Sequence, residues 1–117
     1  MMHEVLYLIG AGGAVLWRDV GESAVAIRDS RARWEAIWTR RADIVEIAHS
    51  HPVGPRAFSN EDETTMSAIS AALGRAPRFS VVAPGGMIAR VEGADVIVNE
   101  EPDWTAALRR DSGMEEK

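Results

Sequence analysis

The chain has 117 residues, 46% of them hydrophobic and 26% charged, as expected for one globular domain with a single core. It contains no cysteine, which excludes disulfides and thiol catalysis, and no apolar run approaches the roughly 20 residues of a membrane span. The net charge of −5 and the scattered basic residues argue against a nucleic-acid-binding surface.

The first third of the chain alternates apolar segments with turn residues. It predicts two strands that form a hairpin, at residues 5–9 and 14–20, and a third strand could lie at residues 24–28. A helix is then predicted from an N-cap at Ser30 to about Arg41. Its apolar face is formed by Trp34, Ile37 and Trp38. We predict that both tryptophans lie in the core, because two of them spaced four apart on a helix are more often core than binding surface.

Two histidines follow the next apolar segment, residues 43–48, which predicts a short buried strand. If the chain stays extended, alternation places His49 and His51 on one face, together with Val45. Pro52 then ends the strand, because proline has no N–H to donate. Two imidazoles spaced in this way can converge on one point, and sites are commonly built where strands open onto loops.

Ser59 opens a second helix, whose apolar stripe is formed by Met66, Ile69 and Leu73. Asp62 falls on that inward stripe, where a carboxylate is costly unless it is paired or bound to a metal. Two histidines and an aspartate make the three protein ligands of a catalytic zinc and leave the fourth position for water. Ser59 and Asp62 also fit a simple capping box, so the pair alone does not establish a metal site.

The last third predicts strands at residues 78–83, 87–92 and 96–98, and a helix with Pro102 in its first turn. The apolar face of that helix is formed by Trp104, Ala107 and Leu108. Residues 111–117 are polar and predict a frayed tail. The element order predicts an α/β fold, a curved mixed sheet flanked by helices, in one domain covering residues 1–117.

The sequence His49-Ser50-His51-Pro52, a seven-residue gap counted from Pro52, and then Ser59-x-x-Asp62 resembles the motif of the JAMM, or MPN-domain, metalloproteases. The resemblance implies zinc held by His49, His51 and Asp62, with Ser59 helping to stabilise the tetrahedral oxyanion. It also implies hydrolysis of a peptide or isopeptide bond next to the C-terminus of a ubiquitin-like protein.

A JAMM domain supplies its catalytic glutamate near the end of a long first helix, just before the first apolar strand. This chain begins close to that strand, so the family's first helix is expected to be missing or shortened. Glu4 has the matching place in chain order and is the first candidate for the general base. Glu22, in a later loop, is the alternative base, and a third option is that the chain holds no base. Glu46 lies on the histidine strand, but alternation points it to the opposite face.

Two functions therefore stay open. One is a zinc-dependent metallopeptidase; the other is a zinc-binding or metal-free MPN-like scaffold or interaction module without peptidase activity. A distant similarity links the chain to RadC-type proteins, whose motif reads His-Asn-His-Pro-Ser-Gly, and Ser50 favours the peptidase branch. The expected partner is a ubiquitin-like or other protein substrate, not nucleic acid or a membrane, and the domain could form a homo-oligomer or bind a partner subunit. The N-terminus lacks the basic region of a signal peptide, so a cytoplasmic protein is expected.

Overall fold

The computed structural model of the protein describes residues 2–20 and 31–114. The strands in these residues are Val5–Ile9 (β1), Val15–Val20 (β2), Glu46–Ser50 (β3), Arg78–Ala83 (β4), Gly86–Val91 (β5) and Ala94–Val98 (β6). The helices are Arg31–Thr39 (α1), Asn60–Leu73 (α2) and Trp104–Ser112 (α3), and a 3-10 turn at Ala11–Gly13 joins β1 to β2. The strand predicted at residues 24–28 and the N-cap predicted at Ser30 lie outside the described residues.

The six strands form one mixed sheet in the order β2-β1-β3-β4-β5-β6. β3 and β4 are parallel, and the other neighbours are antiparallel. Two parallel neighbours need a connection that returns the chain along the sheet, and α2 is that connection. The end of β3 and the start of α2 are therefore joined by one short loop. The histidines and Asp62 lie on the two sides of this loop.

Each face of the sheet packs against helices. On one face, α1 and α2 cover the side chains of Leu6, Leu8, Ile47 and Phe79. On the other face, α3 covers Val5, Tyr7, Ile9, Ala48, Val82 and Met87. Successive residues of β1 alternate between the two clusters, as the pleat of a strand requires. The predicted α/β fold with a mixed sheet flanked by helices is confirmed, and no helix precedes β1 within the described residues 2–20.

Two predicted placements near α1 and β3 are wrong. Trp38 is 53% exposed and lies under the guanidinium of Arg41, 4.0 Å from its ring centroid, whereas Trp34 packs against the core. α1 ends at Thr39, so Trp38 lies in its last turn, where the predicted core face has turned to solvent. Val45 lies in the segment predicted as a buried strand but is 52% exposed, although its N–H donates to Ile9 and its carbonyl accepts from Arg78.

The C-terminal prediction is also wrong for residues 111–114. α3 begins at Trp104, after Asp103 rather than with Pro102 in its first turn, and runs to Ser112. The hydroxyl of Tyr7 donates a hydrogen bond to Asp111 at 2.5 Å, Ser112 is fully buried, and Met114 packs into the α3 core. A polar segment looks frayed by composition, but here its polar groups are paired. Among the helices of residues 2–20 and 31–114, none has the length and apolar character that a membrane span needs.

Candidate metal and catalytic site

His49 and His51 converge at the end of β3, as alternation predicts. Their Nε2 atoms lie 3.1 Å apart and their ring centroids 4.8 Å apart. The Nδ1 atom of His51 is 2.9 Å from the carbonyl oxygen of Pro55. A carbonyl only accepts, so Nδ1 carries the proton of this hydrogen bond and the Nε2 lone pair of the neutral ring points into the site.

Asp62 reaches the histidines from the first turn of α2. Its Oδ1 is 3.1 Å from His49 Nε2, and its Oδ2 is 3.2 Å from His51 Nε2. The same residue completes a capping box: Ser59 N–H donates to Asp62 Oδ2 at 2.8 Å, and Asp62 N–H donates to Ser59 Oγ at 3.0 Å. The capping box and the histidine cluster are therefore not alternatives, because one carboxylate takes part in both.

The three side chains have the spacing that a tetrahedral ion needs. With bonds of about 2.0–2.1 Å to nitrogen and oxygen, the ligand atoms around zinc lie about 3.3 Å from each other. The Nε2 atoms of His49 and His51 are 3.1 Å apart, and Asp62 lies 3.1 Å from the first through Oδ1 and 3.2 Å from the second through Oδ2. One neutral imidazole with a fixed tautomer and a deprotonated carboxylate are also the forms that bind metal. The donor types and their separations are compatible with zinc, and the carboxylate of Glu4 with the same two rings forms a second set of three that could hold a metal ion.

Glu4 is the fourth member of the cluster. Its carboxylate and the ring nitrogens of His49 and His51 all lie within 4.8 Å of one another, and Glu4 is only 8% exposed. β1 and β3 are antiparallel with Leu6 opposite His49, so continuing this pairing by two residues sets Glu4 opposite His51 on the same face. In the described part of the chain, no hydrogen bond or ion pair joins Glu4 to either histidine. Glu4 thus stands farther from the rings than Asp62 does.

Burial and charge separate the two carboxylates electrostatically. Burial raises the pKa of Glu4, and the nearby charges of His49 and His51 lower it only in part. Burial would also raise the pKa of Asp62, but the hydrogen bonds from both histidines hold it well below its usual range. Two carboxylates with pKa values moved in opposite directions commonly have different roles, one a proton carrier and one a permanent anion.

His51 has a raised pKa in the metal-free site. Burial lowers the pKa of the ring, but the hydrogen bonds to Asp62 and to the Pro55 carbonyl outweigh burial. A proton on Nε2 therefore competes with a metal ion more strongly than it would on an ordinary histidine.

The chain matches, over residues 7–109, the family model described as prokaryotic homologs of the JAB domain. It belongs to this family. The predicted JAB/MPN resemblance is thereby confirmed. The match covers the JAB-domain residues His49, His51, Ser59 and Asp62, whereas Glu4 lies before the matched range. A comparison with curated proteins returned no match.

The other glutamates considered for the base have different outcomes. Glu46 is buried and accepts a hydrogen bond from Ser80 Oγ at 2.7 Å, with Arg78 3.4 Å away, so it points away from the histidines as predicted. Glu22 lies outside the described residues. Of the glutamates whose positions the structure describes, Glu4 is the one whose carboxylate lies within 4.8 Å of ring nitrogens of both histidines.

The sequence did not predict the groups that surround Glu4, His49, His51 and Asp62. A cavity of about 600 Å³ opens beside the four residues, and the buried guanidinium-bearing Arg33 of α1 lines it. Phe58 lies 6.3 Å from His49 between ring centroids, and Arg90 covers the Phe58 ring at 4.8 Å. Arg90 also binds Glu63 at 2.8 Å, which fastens the first turn of α2 to β5. Of these groups, only Arg90 has a signal in the sequence, because it is an arginine within an apolar strand.

Ser59 is the N-cap of α2, as predicted, and it also lines the cavity. Changing Ser59 to Ala removes the acceptor for the Asp62 N–H, so we expect a loss of about 1 kcal/mol in the free energy of unfolding. If its hydroxyl also donates to a developing oxyanion, turnover should fall by roughly 10²-fold or more. Urea denaturation and steady-state kinetics measure the two effects, with Ser59→Thr as the variant that keeps the cap. A loss of stability with unchanged turnover would leave Ser59 the capping role alone.

Proposed function

We propose that this JAB-domain protein is a zinc-dependent metallopeptidase that hydrolyses a peptide or isopeptide bond next to the C-terminus of a ubiquitin-like protein. The observation that supports the proposal best is the convergence of His49, His51 and Asp62 within 3.1–3.2 Å, with the buried carboxylate of Glu4 beside them. The substrate class follows from the resemblance of the motif to JAMM proteases.

Zinc, when held by His49, His51 and Asp62, polarises a carbonyl and lowers the pKa of water. Glu4 accepts the proton of the attacking water and passes it to the leaving amine. Its raised pKa suits this exchange, because a carboxyl whose pKa is moved toward neutral pH can both take and return a proton. Ser59 accepts from a backbone N–H with its lone pair, so its own O–H is available to the oxyanion of the tetrahedral intermediate.

Asp62 fixes the geometry of the site through its cap. Its carboxylate is held by the N–H of Ser59 at the start of α2, where the helix dipole also favours a negative charge. The cavity beside the cluster supplies space for the residues on either side of the scissile bond. We extend the proposal to a protein partner, with the flexible C-terminus of a ubiquitin-like protein lying in this cavity.

A second function is favoured by a specific observation. Glu4 lies before the family-matched range and makes no direct bond to either histidine within the described residues. A site with three ligands and an idle carboxylate would bind zinc without hydrolysing an amide. This alternative is a zinc-binding scaffold or interaction module, and it differs from the first only in what Glu4 does.

The function is tested by zinc analysis paired with an amidase assay. Protein purified without added metal is expected to contain one zinc per chain, and to cleave a ubiquitin-like protein that ends in a fluorogenic C-terminal amide. The His49→Ala, His51→Ala double variant should lose both properties. His3→Ala is the matched control for zinc content, because His3 is the remaining histidine of the chain and does not line the cavity. Stoichiometric zinc in the double variant would rule out the proposed ligands.

A further inference from the structure

Two fully buried serines lie behind the site and take no part in the proposed chemistry. Ser50 stands between His49 and His51 in β3, but alternation turns it to the opposite face of the sheet. Ser112 is the last residue of α3, which covers that face. A buried hydroxyl destabilises the fold unless it is hydrogen-bonded. The hydrogen-bond partners of the two serines therefore indicate which segment they stabilise.

The partners are the residues on either side of Glu4. Ser50 Oγ accepts the N–H of Val5 at 2.8 Å. Ser112 Oγ lies 2.5 Å from the carbonyl oxygen of His3 and 2.9 Å from Ser50 Oγ. The N–H of His3 donates to the backbone carbonyl of Ser112 at 2.8 Å. Three polar groups of the backbone around Glu4 are therefore held by two serines.

These bonds hold a segment that the sheet does not. The β1–β3 ladder runs from Leu6 to Ile9, and β1 pairs with β2 from Val5 onward, so His3 and Glu4 lie beyond both ladders. Residues before a first strand are poorly ordered unless something ties them down. Here the tie runs through Ser50, the residue between the two histidines, so the backbone of Glu4 and the metal-binding strand share one anchor.

We propose that Ser50 and Ser112 are positioning residues that set the distance of the Glu4 carboxylate from His49 and His51. The inference rests on the proposed function, because positioning affects the reaction only if Glu4 is the base. A displacement of about 1 Å at a reacting group can cost about 10² in rate. Both serines act through the backbone of residues 3–5 and touch neither the cavity nor the metal ligands' ring atoms.

The test uses the full chain in three variants: Ser50→Ala, Ser112→Ala and the control Ser80→Ala. Ser80 is equally buried and also forms a side-chain hydrogen bond, but its partner is Glu46, outside the cluster. We expect Ser50→Ala and Ser112→Ala to keep one zinc per chain and an unchanged KM, while kcat falls by roughly 10- to 100-fold. In metal-free protein, the Val5 amide should exchange at least about tenfold faster in Ser50→Ala. Ser80→Ala should change neither kcat nor the exchange rate of the Val5 amide.

Failure of the proposed function and failure of the positioning role can be told apart. If the wild type binds zinc but cleaves no amide, the proposed function fails, yet amide exchange at Val5 and the distance from Glu4 to the His51 ring, measured by NMR, still decide the positioning. An unchanged distance and unchanged exchange in both variants would overturn the inference, as would an equal drop of kcat in Ser80→Ala. Should Ser50→Ala fail to fold, Ser50→Thr, which keeps the hydroxyl, is expected to restore slow Val5 exchange and wild-type kcat.

Discussion

Glu4→Gln is expected to retain zinc and the fold while losing amidase activity by about 10² to 10⁴, the usual contribution of a placed proton carrier. Glutamine keeps the shape and hydrogen-bonding reach of glutamate but accepts no proton at neutral pH. In the proposed site the zinc ligands are His49, His51 and Asp62, and the variant keeps all three. Zinc content, thermal melting and kcat on a ubiquitin-like fluorogenic amide measure the three properties.

Glu46→Gln is the matched control for this experiment. Glu46 is as buried as Glu4 and lies three residues before His49, but its carboxylate pairs with Ser80 on the other side of the strand. It should therefore change stability without lowering kcat to the same degree. Equal activity in Glu4→Gln and the wild type would remove Glu4 as the base and direct the search to Glu22. A wild type that binds zinc but hydrolyses nothing would favour the scaffold function or a base supplied by a partner subunit.

Local periodicity was enough to predict that His49, His51 and Asp62 face one another. The period of two in a strand sets His49 and His51 on one face, and the helical spacing from Met66 back to Asp62 sets the carboxylate inward. Both inferences use neighbours within a few residues. The loop between β3 and α2 then brings the two sets together, as the distances from Asp62 to the two histidines show.

The position of Glu4 could not be predicted in this way. It depends on the antiparallel pairing of β1 with β3, which lie about 40 residues apart in sequence. Chain order placed Glu4 near the first strand, but only the register sets it opposite His51. The same limit explains the missed anchor at Ser112, because hydropathy identifies apolar segments and does not show that a polar residue is buried by its hydrogen bonds.

Asp62→Asn is expected to reduce zinc affinity by more than about 100-fold. Loss of a residue that merely supports a ligand typically costs 10- to 100-fold, and Asp62 is a ligand itself in the proposed site. The amide oxygen of asparagine still accepts the Ser59 N–H, so the cap of α2 should survive and the helix should remain folded. Competition with a fluorescent zinc chelator measures the affinity. Asp95→Asn is the control, because Asp95 binds Arg90 and does not line the cavity. Wild-type affinity in Asp62→Asn would exclude this carboxylate as a ligand.

Asp62→Asn also allows a test of pH dependence: stability in the metal-free protein and stabilisation by zinc are expected to change with pH in opposite directions. In metal-free wild type, the pKa of His51 is raised above its ordinary value of 6.5 by Asp62, so the stability gained is full below about pH 6.5 and lost as pH rises through the raised pKa. The stability difference between wild type and Asp62→Asn should therefore shrink from about pH 6 to about pH 8. Zinc reverses the slope, because its binding displaces protons, so the zinc-induced rise in Tm should grow over the same interval. Urea and thermal melts at about pH 6 and about pH 8 measure both quantities. If the stability difference between metal-free wild type and Asp62→Asn did not depend on pH, the pairing of His51 with Asp62 would be contradicted.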